Sequence, residues 1–357
     1  MNKPYGRVIG WGKYVPETVI TNHDLEKTLD TSHDWIVKRT GIHSRRVAAE
    51  GETTSSMAIQ AARQALETAD LQSAELDLII MATNTPDHLV APSPASLVQQ
   101  AIGAADVPAF SLSAGCTGFI YALSVAQQFI SAGVYQRVLV IGAELLSRFV
   151  DWEDRRTAVL FGDGAGAVIL QATAEPCGPQ HFVLGSDGQG AEHIMVPAGG
   201  AADPFSAEVL ANRSHFVTMN GSEVFKFATR KFGDSCRQVL AQAHLDIADI
   251  DWVVSHQANE RIIKAGARDL GVPLERCLLN VGKYGNTSTA SIPILLCESI
   301  ESGHIQPADK LLLVAFGAGL TWGACLLQLA PVPLERGQHM NGLTSVRRAH
   351  RKVMMQG

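Results

Sequence analysis

Three residues of this chain are able to do chemistry together, and two of them stand at matched places. Cys116 lies in Ser113-Ala-Gly-Cys-Thr-Gly-Phe119, which opens an apolar segment closing on Ser131-Ala-Gly133. Asn286 lies in Lys283-Tyr-Gly-Asn-Thr-Ser288, which opens a second segment closing on Glu301-Ser-Gly303. A Gly-Cys-Thr start and a Gly-Asn-Thr start are thus 170 positions apart (286 − 116). His256 follows the strand-like run Trp252-Val-Val-Ser255, where α/β proteins carry functional groups. At a helix N-terminus a cysteine pKa can fall from ~8.5 to between ~3.5 and ~7.5, which predicts a thiolate at Cys116. Together the three side chains supply a nucleophile and two hydrogen-bond donors. The competing reading is a packed cysteine and a satisfied core histidine. Gly115, which permits a sharp strand-to-helix turn, and the equivalence with Asn286 favour catalysis.

The elements that must position these groups repeat. Leu76-Asp-Leu-Ile-Ile-Met-Ala82 matches Ile250-Asp-Trp-Val-Val-Ser-His256 at an offset of 174 (250 − 76). Val159-Leu-Phe-Gly-Asp-Gly-Ala-Gly-Ala-Val168 resembles Val314-Ala-Phe-Gly-Ala-Gly319. Each half orders apolar strand, helix start, apolar strand, glycine turn and apolar strand, which argues for two copies of an α/β unit. The spacing predicts a first strand over 8–15, helices near 22–26, 31–37 and 53–69, a strand over 76–83 and a loop over 84–94. The divisions expected are 1–175, 176–330 and a basic, disordered tail over 331–357. The Gly- and Pro-rich stretch 177–207 reads as a connection, with the second copy starting near Val217.

Composition narrows the function classes. Hydrophobic residues make up 46% and charged residues 18% of 357 residues, enough for a large core. A net charge of −6 offers no sign of nucleic-acid binding. The six cysteines never reach a Cys-x-x-Cys spacing, so no metal is expected. The first residues lack the apolar stretch of a secretory signal, which points to a cytoplasmic protein with reduced thiols. Residues 107–136 contain no charge, but Pro108, Gln127 and Gln128 interrupt them, so a buried helix is expected rather than a membrane span.

Trp35-Ile-Val-Lys-Arg-Thr-Gly-Ile42, Gly115-Cys-Thr-Gly-Phe119, Phe161-Gly-Asp-Gly-Ala-Gly166, His256-Gln-Ala-Asn259, Gly285-Asn-Thr-Ser288 and Phe316-Gly-Ala-Gly-Leu-Thr-Trp-Gly323 carry a resemblance. Over about 6–329 the chain resembles the β-ketoacyl-[acyl carrier protein] synthase III family. The resemblance implies a thiolase-like fold, an internally duplicated five-layered α-β-α-β-α architecture. It implies that acyl-coenzyme A primes Cys116 and that malonyl-acyl carrier protein then condenses with loss of CO2, assisted by His256 and Asn286. Backbone N–H groups of Cys116 and Ala318 would form the oxyanion hole. Trp35, Arg39, Thr40, Arg155, Gly221, Phe225, Ala258 and Asn259 match coenzyme A contacts. Lys226 and Arg261 match carrier-protein contacts, and Ala91, Phe161 and Phe316 the acyl pocket. A homodimer, with coenzyme A thioester as substrate and no bound cofactor, is implied as well.

Departures from the family pattern sharpen these expectations. Ala91 stands where a phenylalanine usually precedes the Pro-Ser of a loop that enters the partner's pocket, so acyl groups larger than acetyl should fit. Glu260, Arg156 and Ala318 also differ from the usual residues. The nearest rival is a synthase III-like acyltransferase of specialised metabolism that acylates an oxygen, nitrogen or carbon acceptor without decarboxylation. A non-catalytic partner protein is disfavoured by the joint presence of Cys, His and Asn. A dinucleotide-binding oxidoreductase rests only on Gly162-Asp-Gly-Ala-Gly166, which is followed by a strand-like run and reads better as a tight hairpin.

Overall fold

The structure is a computed structural model that describes residues 3–330. The tail expected to be disordered, 331–357, lies outside the described residues.

Two large sheets build the core of the molecule, beside two small two-stranded ones. In the first, Leu78–Ala82 pairs in parallel with Ala109–Leu112 on one side and Arg137–Glu144 on the other. Gly164–Thr173 and Tyr5–Tyr14 complete that sheet as antiparallel neighbours. In the second, Trp252–Ser255 pairs in parallel with Lys310–Gly317, and Thr321–Gln328 and Gly178–Ser186 follow antiparallel. The two orders correspond strand for strand, so the repeat legible in the sequence is a repeat of topology. The fifth strand of the first sheet has a reduced counterpart, a single parallel bridge between Val253 and Cys277.

Alternation along the strands sorts the core into layers. Leu78, Ile80 and Ala82 face inward while Ile79 and Met81 face outward, and Leu311, Leu313 and Ala315 alternate with Leu312, Val314 and Phe316 in the same way. Both faces of each sheet are covered, which explains the unbroken apolar runs. The helices Gly118–Ser131 and Ser291–Glu301 fill the space between the sheets. Thr54–Ala69 and Pro94–Ala101 cover the first sheet outside, and Gly221–Ala243 and Glu260–Leu270 cover the second. The result is a five-layered α-β-α-β-α arrangement. Among the described residues no helix is long and apolar enough to cross a membrane.

Two expectations are corrected. Gly178–Ser186 is a strand of the second sheet, although its Gly- and Pro-rich surroundings suggested a connection; sheet pairing with Thr321–Gln328 overrides the local signal. The glycines of 162–166 do not form a tight hairpin. Arg137–Glu144 and Gly164–Thr173 are antiparallel neighbours joined by a long excursion over 145–163, and Gly164 and Gly166 lie inside the second of these strands.

Gly142 shows what the layering requires. It lies on the inward face, and a Cβ there would come 2.4 Å from the carbonyl oxygen of Thr289 at the start of the opposing central helix. Backbone cannot yield as a flexible side chain can, so Gly142→Ala is expected to destabilise the protein by about 1–3 kcal/mol. Gly188→Ala, where a Cβ meets nothing within 4 Å, should stay within about 0.5 kcal/mol of the parent. Denaturant unfolding checks both, and equal midpoints would contradict the packing described.

Candidate active site

Each half delivers its groups by the same device, a strand end or a turn that runs into a central helix. Cys116 lies just ahead of the helix Gly118–Ser131, after Gly115 with φ +56°. A Cβ on Gly115 would strike Ala318 N at 2.8 Å, and one on Gly317 would strike Cys116 N at 2.5 Å. The nucleophile turn of the first half and the 317–318 turn of the second are therefore in direct backbone contact. The N–H groups of Ala318 and of Cys116 itself both point at the Cys116 sulfur.

His256 ends the strand Trp252–Ser255, and its own N–H donates to Val314 O at 2.8 Å. The ring is buried, edge-on to Phe316 with centroids 5.5 Å apart. Its Nδ1 is 2.7 Å from Ser291 Oγ, and Ser291 Oγ also accepts from Gln257 N at 3.3 Å. In the tautomer in which the Ser291 hydroxyl donates to Nδ1, Nε2–H is the ring's free donor. Asn286 is anchored by its backbone between Leu160 O, at 2.8 Å, and Gly162 N, at 3.0 Å. Its Oδ1 accepts from Ser288 N at 2.9 Å, so the amide NH2 is left for a ligand.

Cys116, His256, Asn286, Phe316 and Gly317 line one pocket of about 80 Å³. A more open depression of about 380 Å³ adjoins it across Phe227 and carries Asp187, His193, Glu223, Lys226 and Arg230. Protonation differs from expectation. Burial pushes the Cys116 thiol up to about 11, more than the hydrogen bonds from Ser288 and the backbone can offset. Burial also pushes His256 down to about 3, so its imidazole is neutral at physiological pH. The pocket holds a thiol and a neutral imidazole rather than the thiolate expected beside a helix N-terminus.

The other expected residues fall into three places. Gly221, Phe225, Ala258 and Asn259 line the pocket, at the starts of the two outer helices. Asn259 caps Glu260–Leu270 through Arg261 N at 2.8 Å and donates to Arg39 O at 3.1 Å, which brings the 35–41 segment to the pocket mouth. There the Arg39 and Arg155 guanidinium groups lie 5.7 and 5.4 Å from the exposed Trp35 ring. Thr40 is turned inward, its hydroxyl donating to Ile36 O at 2.7 Å. Lys226 is exposed beside Glu223, and exposed Arg261 lies over Phe225 at 5.4 Å. Glu260 is paired with Lys264 at 2.6 Å, and Arg156 with Asp154 at 2.8 Å. Phe161 is buried behind Asn286, bridged to it through the backbone, and Ala91 lies on an exposed loop.

Sequence reading overlooked Ser291, Ser288 and Glu144. Ser288 and Ser291 follow Asn286 within five residues, and Glu144 is the one acid closing an apolar strand, so a signal was present for each.

Two family models match the chain, 3-oxoacyl-[acyl-carrier-protein] synthase III over residues 110–188 and its C-terminal part over residues 240–329. A β-ketoacyl-[acyl-carrier-protein] synthase III of Symbiobacterium thermophilum is 49% identical over 326 residues, covering 91% of this chain and 98% of that protein. One from Bacillus anthracis is 48% identical over 321 residues, covering 90% and 98%. The crystal structure of 3-oxoacyl-[acyl-carrier-protein] synthase III from Aquifex aeolicus superposes with a TM-score of 0.84 at 46% identity, covering 90% of this chain and 99% of that one. With identity of this order across nearly the full fold, the chain belongs to the β-ketoacyl-[acyl-carrier-protein] synthase III family.

Proposed function

We propose that this protein starts acyl-chain synthesis by decarboxylative condensation, with Cys116, His256 and Asn286 as its catalytic residues. The observation that carries the reading is their convergence on one pocket, with the N–H groups of Cys116 and Ala318 aimed at the sulfur. The Cys116 thiolate attacks the thioester carbonyl of acyl-coenzyme A. The two N–H groups hold the oxyanion, and coenzyme A leaves. Malonyl-acyl carrier protein then enters. Nε2–H of His256 and the amide NH2 of Asn286 hold its thioester oxygen, CO2 departs, and the enolate carbon attacks the acyl-cysteine. A 3-oxoacyl-acyl carrier protein is released.

The pocket mouth suits the substrate. An exposed indole near two guanidinium groups can stack a purine while the cations meet phosphates, and the two helix N-termini favour the same negative charge. Lys226 and Arg261 lie on the rim for an acidic carrier protein. No metal or resident cofactor enters the proposed cycle, and the cytosol is its place. The loop carrying Leu89 and Val90, 70% and 90% exposed, offers apolar surface for a second copy of the chain. A homodimer would bring Ala91 to the partner's acyl pocket, where a small side chain leaves room for starters longer or more branched than acetyl.

Intact mass spectrometry after incubation with acyl-coenzyme A thioesters should detect one acyl adduct on the parent protein and none on Cys116→Ala. An adduct on the variant would refute the assignment. Among starters, isobutyryl- or octanoyl-coenzyme A should react at least as fast as acetyl-coenzyme A, and Ala91→Phe should shift the ratio toward acetyl by about tenfold. A strict acetyl preference in the parent would sink the wide-pocket reading. Because burial keeps His256 neutral down to about 3, malonyl decarboxylation by Cys116→Ala should show no histidine limb between about pH 5 and about pH 8. A loss of rate centred near the ordinary histidine value would contradict that environment.

A further inference from the structure

Glu144 is a buried acid for which the reaction as drawn has no task. It closes the strand Arg137–Glu144 on the inward face, two residues past Gly142, and none of its surface meets solvent. Its partners come from two elements. From the loop after Leu78–Ala82, Asn84 donates through Nδ2 at 2.6 Å and Thr85 through Oγ1 at 2.7 Å, with Thr83 at 3.4 Å. From the start of the second central helix, Ser288 Oγ and Thr289 Oγ1 each donate at 3.1 Å. All of these are uncharged. With the Asn84 N–H, which donates at 3.1 Å, six neutral donors and no cation hold this carboxylate, and burial raises its pKa. Cys116 lies beside this cluster: it lines the pocket with Asn286, whose Oδ1 accepts from Ser288 N, and the Ser288 hydroxyl acts on its thiol. His256 faces Cys116 from across the pocket as a neutral ring already committed to Ser291.

The hydroxyl of Ser288 therefore lies between the thiol and the carboxylate. It has one proton to donate, which can serve Glu144 or the sulfur but not both at once. Ser288 is also held at φ +49°, a left-handed conformation that a non-glycine residue adopts only when its surroundings impose it.

We propose that Glu144 accepts, by way of Ser288, the proton that Cys116 gives up on acylation. The proposal rests on Cys116 being the nucleophile. In the step the Cys116 S–H bond breaks and its proton passes to Ser288 Oγ, while the Ser288 hydroxyl proton forms a bond to Glu144 Oε1. The products are a thiolate and a neutral carboxylic acid. The thiolate acylates, and coenzyme A leaves as a thiolate that takes a proton from water. During the second half-reaction Glu144 is uncharged, so no fixed anion opposes the enolate forming nearby. When condensation releases the Cys116 thiolate, Glu144 returns the proton by the same hydroxyl. The cycle takes up one proton overall, as loss of CO2 from a carboxylate requires. Ser288 touches the reacting sulfur, whereas Glu144 is a positioning residue that acts through it.

This relay makes thiolate formation an internal transfer, independent of pH once Glu144 carries its charge. The measurement is the rate of Cys116 alkylation by iodoacetamide, followed by peptide mapping across pH, beside the single-turnover rate of acylation by acyl-coenzyme A. In the parent both rates should level off above the ionisation of Glu144. In Glu144→Gln and in Ser288→Ala the proton must go to solvent, so alkylation should climb about tenfold per pH unit up to the thiol's own ionisation. Glu144→Asp should restore a plateau. If the cluster only shapes the Asn286 loop, the variants will keep the parent's profile scaled by a constant, and the relay is overturned. Ser288→Ala keeps the carboxylate, so it decides the matter even if Glu144→Gln does not fold. A parent whose alkylation levels off but which no thioester acylates would overturn the nucleophile reading, and with it the relay's part in acylation, while the plateau would still report proton transfer from Cys116 to Glu144.

Discussion

Direct backbone contact between the two halves is the constraint on which the site depends. Gly317 of the second half meets the backbone of Cys116 in the first, and Gly142 of the first meets the carbonyl of Thr289 in the second. The contacts are reciprocal, because in each case the end of a central strand touches the start of the other half's central helix. A side chain at either glycine would wedge the layers apart. The same contacts bring two backbone N–H groups to one sulfur and put a hydroxyl of the second half beside a carboxylate of the first. Duplication supplied two equivalent helix starts, and close approach turned them into one site.

Burial then sets the chemistry. Away from water a thiol, an imidazole and a carboxylic acid all favour their neutral forms, and Cys116, His256 and Glu144 shift in those directions. For His256 the shift suits the proposed role of a hydrogen-bond donor, since a neutral ring that accepts from Ser291 presents Nε2–H without adding a charge. For Cys116 the shift opposes nucleophilicity, and a helix N-terminus alone does not reverse it. A nucleophile buried this deeply needs a local destination for its proton, and the geometry around Ser288 provides one.

Much of this was legible in the residue order. Unbroken apolar runs marked strands buried on both faces, and the Gly-Cys-Thr and Gly-Asn-Thr starts marked the two central helices. The pairing of Cys116 with Asn286 followed from their matched positions, and His256 from its place at a strand end. The strand Gly178–Ser186 was misread because its neighbours are turn-forming residues and its partner lies more than a hundred positions away. Glu144 was passed over because a single acid at the end of an apolar strand reads as a surface residue. Whether such an acid points outward or inward depends on which layer covers that end of the strand.

The sequence alone determined the duplicated α/β class and brought forward Cys116, His256 and Asn286 as candidates, because those depend on residue type and local period, whereas the residues of the rim came from the family resemblance. Tertiary structure alone decided which way the protons sit. The pKa of a thiol or an imidazole depends on how much water the folded chain excludes. The hydrogen bonds that join Ser291 to His256, and Ser288 to Glu144, form between residues 35 and 144 positions apart. No local pattern records such distances, and only the meeting of the two halves creates them.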